Sequence, residues 1–250
     1  MSDASDVDTY LKAAQAAERD SLEEHKGLLA FAGELDRHFR TLVTGQAYCS
    51  HPAIDLLGMN AHASYLAALS TALRGQSPPT FMVIRGCIES AAYAFLIGDD
   101  ESDGDIWFRR EEDPQAVKAK FTVNRAVQKL MSVDRNLSDL LRSSYEWTIE
   151  FGAHPNKRSI LDHLRECDPH PDGPQFSLIY IHGSESLAVL RCIAACIENG
   201  CMAIALLRHA TANHPEGERV FAENWELFRR FQKHVADEGY FTPTEPTPDS

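Results

Sequence analysis

Apolar residues recur at helical spacing along most of the chain. Leu22, Leu28, Leu29, Phe31, Leu35, Phe39 and Leu42 share one stripe, which predicts one long helix over about 5–45, continuous or broken, whose mixed acidic face is solvated. Pro52 sits where a second helix should start, over about 53–74, before Gly75. Pro78 and Pro79 open a third over about 79–97, which ends at Gly98. A fourth is expected over 114–132, with Pro114 in its first turn, and a fifth over 136–153, which Pro155 stops. The last two are expected over 184–210 and 216–237.

The period changes between the fifth and sixth of these. Ser159–Leu164 and Phe176–Ile181 are short β-tolerant runs, separated by the turn residues from Asp168 to Pro174. The expected fold is therefore mainly α: a bundle of six to seven helices with a small β-hairpin inserted near 158–182. One domain is expected over 7–240, between a disordered 1–6 and a disordered, proline-rich 241–250.

Charge narrows the function classes. The formal net charge is −13, a field that repels phosphate backbones and disfavours non-specific nucleic-acid binding. No basic region followed by an apolar stretch opens the chain, and several of the six cysteines lie in apolar helical runs, where a free thiol behaves as a small hydrophobe. A reducing cytoplasm is the expected setting. Leu187–Leu207 is long enough to cross a bilayer but carries Arg191, Glu198, Asn199 and Gly200 near its middle. A charge there costs about 2.5 kcal/mol or more in lipid, so a buried helix of a soluble bundle, not a membrane span, is expected.

Candidate chemistry lies where polar residues interrupt apolar stretches. From Phe81 to Ile97 the third helix is apolar almost all round, and its two charges, Arg85 and Glu89, stand four apart on one face. A helix apolar all round is normally buried, so this pair is expected to be buried too. Buried pairs often fail to recover their desolvation cost, which leaves two readings: an ion pair that fixes helix register, or a pocket residue pair. Arg191 and Glu198 repeat the theme in the sixth helix, with Glu198-Asn199-Gly200 as a kink open to water. His62 and Asn60, among alanines and leucines, read as a core polar pair facing the third helix or as ligand groups.

Other patterns carry less. Glu150 and His154, like Glu34 and His38, stand four apart, whereas helical di-iron bundles space glutamate and histidine by three. His154 at a helix end suits a capping role. Cys192, Cys196 and Cys201 lack a zinc-knuckle spacing, and Asp99–Asp105 lacks the closing glutamate of a calcium loop, so neither a metal nor another cofactor is expected. Trp107 after that acidic stretch is expected to act as a lid on the bundle, with Arg109 or Arg110 stacked on it. Phosphate-binding glycine loops, the Gly-x-Ser-x-Gly elbow and His-Glu-x-x-His are absent.

Three segments together carry a resemblance: Arg85-Gly-Cys-Ile-Glu89 in an apolar helix, Trp107-Phe-Arg109-Arg110 after an acidic loop, and Tyr145-Glu-Trp-Thr-Ile-Glu-Phe-Gly-Ala-His154-Pro155-Asn156. This order resembles uncharacterised bacterial all-helical families with an Arg-x-x-x-Glu helix and a later helix ending in His-Pro, distantly similar to HEPN-type and abortive-infection proteins. The resemblance spans about residues 55–210 and implies that Arg85, Glu89 and His154 are the recurrent polar positions. A HEPN-like ribonuclease also needs Arg-x(4–6)-His on a helix; Arg19…His25, Arg158…His163, Arg165…His170 and Arg208…His214 have that spacing.

Three functions follow as expectations. The first is a ligand- or partner-binding bundle, monomeric or a homodimer, that holds a small molecule or protein through Arg85, Glu89, His154, His62, Trp107 and Arg109. The second is a HEPN-like endoribonuclease in a defence or stress system. The third is a metal-binding bundle using Glu150, His154, His62 and Glu89.

Overall fold

The computed structural model describes residues 6–43, 49–153, 160–161, 164–166 and 176–240. Mainly α architecture is what it shows. The long amphipathic stretch at the start divides into α1 (Asp6–Glu24) and α2 (Lys26–Val43), with His25 between them. The His25 ring bonds the Ser184 carbonyl at 2.8 Å, which ties the break to a distant loop.

Caps explain most of the remaining boundaries. The side chain of His51 accepts from the Ala53 N–H, and Pro52 takes the first position of α3 (Pro52–Leu73). Gly75 then turns the chain at φ +70°, a conformation that costs glycine little, and its carbonyl accepts from the His182 N–H at 3.0 Å. Two prolines open α4 (Ser77–Asp99).

The expected count of six to seven helices is too low, for two local reasons. Residues 99–105, read as a solvated acidic loop, lead into the short helix α5 (Ser102–Phe108). Asp100 accepts from both the N–H and the hydroxyl of Ser102, and Asp103 and Asp105 lie in the first turn, where the helix dipole favours negative charge. The segment read as one helix over 114–132 divides into α6 (Pro114–Lys120) and α7 (Val123–Leu130). Phe121 is extended there, and Thr122 starts the second piece by accepting from the Arg125 N–H.

Asp134 caps α8 (Arg135–Thr148), which runs on into a π turn, Ile149–Ala153. Beyond it, β1 (Leu164–Glu166) pairs antiparallel with β2 (Phe176–Leu178), Arg165 opposite Ser177. The rest of the hairpin expected over 158–182 falls largely outside the described residues, so no inserted β unit enters the architecture below. Ser186 caps α9 (Leu187–Ala210), and α10 (Gly217–Asp237) closes the described bundle. The termini expected to be disordered lie outside the described residues, apart from Asp6.

Helices α4 and α9 form the centre. Helix α4 packs most extensively on α3 and then on α9, while α2, α8 and α10 cover the other sides of α9. Ile84, Ile88, Ile193, Ile197 and Ile204 are almost fully buried. Both central helices are long and apolar enough to cross a membrane, but 61% of the α4 window and 67% of the α9 window is covered by the rest of the chain. Tight approaches require glycine in two places that matter below. A Cβ on Gly152 would lie 2.5 Å from the Phe81 Cβ, and one on Gly200 would lie 2.9 Å from the Tyr65 ring.

Candidate functional site

The i, i+4 spacing of Arg85 and Glu89 produces the expected ion pair, and the structure adds a third member. Arg85 Nε donates to Glu89 Oε1 at 2.8 Å. Arg85 Nη2 donates to Tyr145 Oη at 2.8 Å, and Tyr145 Oη donates to the same Glu89 oxygen at 3.0 Å. Tyr145 comes from α8, so the triad joins α8 to α4. Side-chain exposures of 27% and 30% make the ion pair half-buried, which corrects the expectation of full burial. Its edge of α4 is not covered on all sides, and water shares the desolvation cost. Burial works against the Arg85 charge, but the hydrogen bond and charge of Glu89 outweigh it and raise the guanidinium pKa. Burial, with Glu89 close by, also raises the Tyr145 phenol. All three groups answer one another.

The other expected site residues have different partners. His154 lies outside the described residues. His62 bonds Asp36 on α2 at 2.8 Å and stacks on Phe39, while Asn60 does face α4, donating to Ser90 at 2.7 Å. The Asp36 carboxyl is partly desolvated, but hydrogen bonds from His62 and Arg40 hold it below the usual range. Trp107 packs against the core and edge-on to Phe108, in keeping with a covering role. Arg109 is exposed at the end of α5. Among the described residues, His62 is thus engaged by Asp36 and Phe39, and Trp107 by the core and Phe108, instead of by Arg85 or Glu89.

Among the described residues no three His, Cys, Asp or Glu side chains form a metal-holding group. Burial raises the thiols of Cys87, Cys192, Cys196 and Cys201, as expected of core filling. Of the Arg…His pairs, His25 bonds the Ser184 carbonyl, Arg208 pairs with Glu218, and His214 accepts from the Glu216 N–H. Arg158, His163 and His170 lie outside the described residues.

A cavity of about 310 Å³ opens elsewhere, between α4, α8, α9 and α10. Its walls are mostly apolar, with Phe81, Trp147, Trp225 and Phe228 supplying rings. Ser143, Ser144, Thr148 and Gln232 also line it, as do three polar side chains from the apolar helix α9 and from α10. Asn199 is 5% exposed and donates its amide to the Ala195 carbonyl at 2.6 Å. Asn224 is 1% exposed and donates to the Cys201 carbonyl at 2.9 Å. The Oδ1 of each is buried and has no partner. Main-chain carbonyls only accept, so the amide nitrogens must face them, and each free end is an oxygen. Leaving such an acceptor unsatisfied costs about 1–3 kcal/mol.

Glu198 is the third, and it is the one charged side chain on the cavity wall. Desolvation pushes its carboxyl up to about 7, yet the side chain is accessible to solvent. Both observations hold for a carboxyl facing a recess walled by apolar groups instead of open water. Arg191, two turns earlier on the same helix, is exposed like Glu198, and no ion pair joins the two, so the expected buried pair is not formed.

The chain matches no protein-family model, no curated protein and no solved structure. The cavity and the triad meet along α8. Ser144, Trp147 and Thr148 line the cavity, while Tyr145 between them reaches the ion pair. On α4, Phe81 at the cavity stands one turn from Arg85. The π turn then brings Gly152 against Phe81, closing the same wall.

Proposed function

We propose that this protein binds a small, largely apolar molecule in the cavity between α4, α8, α9 and α10. The observation that carries the reading is a cavity of about 310 Å³ that holds two nine-tenths-buried acceptors with nothing to accept from. Ligand sites combine apolar walls with a few convergent polar groups in a volume of about 300–1,000 Å³, and this cavity has that make-up. In this reading the Arg85–Glu89–Tyr145 triad touches no ligand. It is a positioning device that holds the α8 wall against α4. A soluble, monomeric or dimeric bundle is the form we propose for it.

The test is calorimetric titration with a neutral apolar probe, 2-naphthylmethanol, into wild-type protein and Ser144→Trp. Ser144 is half-buried on the cavity wall, so an indole there fills the space without disturbing the core. Binding to the wild type, lost in the variant, supports the reading. Absence of binding, or equal binding to both proteins, contradicts it.

A further inference from the structure

The buried polar side chains of the cavity wall act as acceptors; Ser143, Ser144 and Gln232, which are exposed or half-buried, also line it. Asn199 Oδ1 and Asn224 Oδ1 are fixed as acceptors because each amide nitrogen is committed to a main-chain carbonyl. Thr148 spends its hydroxyl proton on the Tyr145 carbonyl at 2.7 Å, which leaves its lone pairs. Glu198 carries the only formal charge on the wall, and among the described residues no hydrogen bond or ion pair engages it. No arginine, lysine or histidine lines the space. An anionic ligand would meet the Glu198 carboxylate there with no cation to balance it, whereas a protonated amine would pair with it.

The rings point the same way. Trp147 and Trp225 line the same space as Glu198, and tryptophan faces are the best aromatic partners for a cation. The volume bounds size: about ten water volumes at ~30 Å³ each fit in 310 Å³. That is room for a fused-ring or short-chain hydrocarbon with one polar head.

We infer that the ligand is an amphipathic amine, an apolar body of about ten heavy atoms that bears a protonated primary amine, with Glu198 as its counter-ion and the Trp147 and Trp225 rings on the wall around it. This rests on the binding function proposed above. It adds a proton linkage, since the ammonium engages the ionised carboxylate: affinity rises with pH up to the region where Glu198 is fully ionised, and levels off above it.

The test uses three probes of one shape on the intact protein: 2-naphthylmethylamine, 2-naphthylmethanol and 2-naphthoate, each titrated calorimetrically at pH 6 and pH 8. We expect the amine to bind at least tenfold more tightly than the alcohol at pH 8, the carboxylate to bind most weakly, and the amine's advantage to shrink at pH 6. Glu198→Gln should bring amine and alcohol to within about threefold of one another. If the alcohol or the carboxylate binds as well as the amine, the amine inference is overturned while a binding cavity stands. If no probe binds, both fall. The wild-type series decides the matter without any variant.

Discussion

Two polar groupings are built in opposite ways: one joins α4 to α8, and the other lies on α9 and α10 around the cavity that Phe81 lines, one turn from Arg85 on α4. The Arg85–Glu89–Tyr145 triad is closed: three hydrogen bonds of 2.8–3.0 Å join each member to the other two. The Glu198–Asn199–Asn224 grouping is open: two buried amide oxygens find no donor, and a carboxylate lines the cavity without a cation. A closed polar cluster is explained once its structural role is given. An open one keeps a cost that the fold alone does not recover, and a ligand is the simplest way to remove it. Charge in an apolar helix is thus a weaker sign of function than an unanswered polar atom beside a space.

The largest test of this contrast strikes the wall the two groupings share. Gly152→Val places carbon within 3 Å of the Phe81 side chain and of the main chain at Pro78 and Met82. We expect a loss of about 2–3 kcal/mol in urea unfolding, together with loss of probe binding, because the π turn must move away from α4.

Opening the closed cluster is next. Tyr145→Phe removes one donor and one acceptor but leaves Arg85 and Glu89 paired, and should cost about 1–2 kcal/mol. Arg85→Met and Glu89→Gln should each cost about as much, and the double variant less than their sum. Additive losses would mean the two side chains act independently, against the triad.

Relieving the open cluster has the opposite sign. Glu198 has its folded pKa raised to about 7, above its unfolded value, so ionising it disfavours the folded state. Wild-type stability therefore carries a penalty that grows as pH rises from about 4.5 to 7 and is constant above that. Glu198→Gln should be more stable than wild type at pH 8, with the advantage gone near pH 4.5, as chemical unfolding at the two pH values will read. The smallest effect belongs to His209, whose pKa burial lowers. Its neutral form contributes stability that is present above about pH 6.5 and lost as pH falls through the lower folded value. His209→Gln should flatten that acid-side slope by a few tenths of a kcal/mol, on the scale of surface substitutions.

Much of the fold was legible because helix boundaries are written locally. Pro52, Pro78 and Pro79 mark helix starts. The break at His25 was not legible, since its cause is a carbonyl far away at Ser184. The Arg85–Glu89 pair was legible because i, i+4 spacing is a property of one helix. Tyr145 was not, because its role comes from how α8 meets α4. The cavity is the extreme case. Glu198 stood out as a charge in an apolar run, but Asn224 lies in a stretch as polar as any surface helix, and only packing buries it to 1% exposure. No spacing rule relates Phe81, Trp147, Asn199 and Asn224, which four helices bring to one space.

The account stands most directly on whether that space holds a ligand, and on Glu198 being what it meets. The decisive measurement is the calorimetric affinity of 2-naphthylmethylamine for wild type and for Glu198→Gln at pH 8. The account predicts binding to the wild type and a drop of at least tenfold in the variant, with the variant as stable as the wild type or more so. Equal affinity for the two proteins would contradict it.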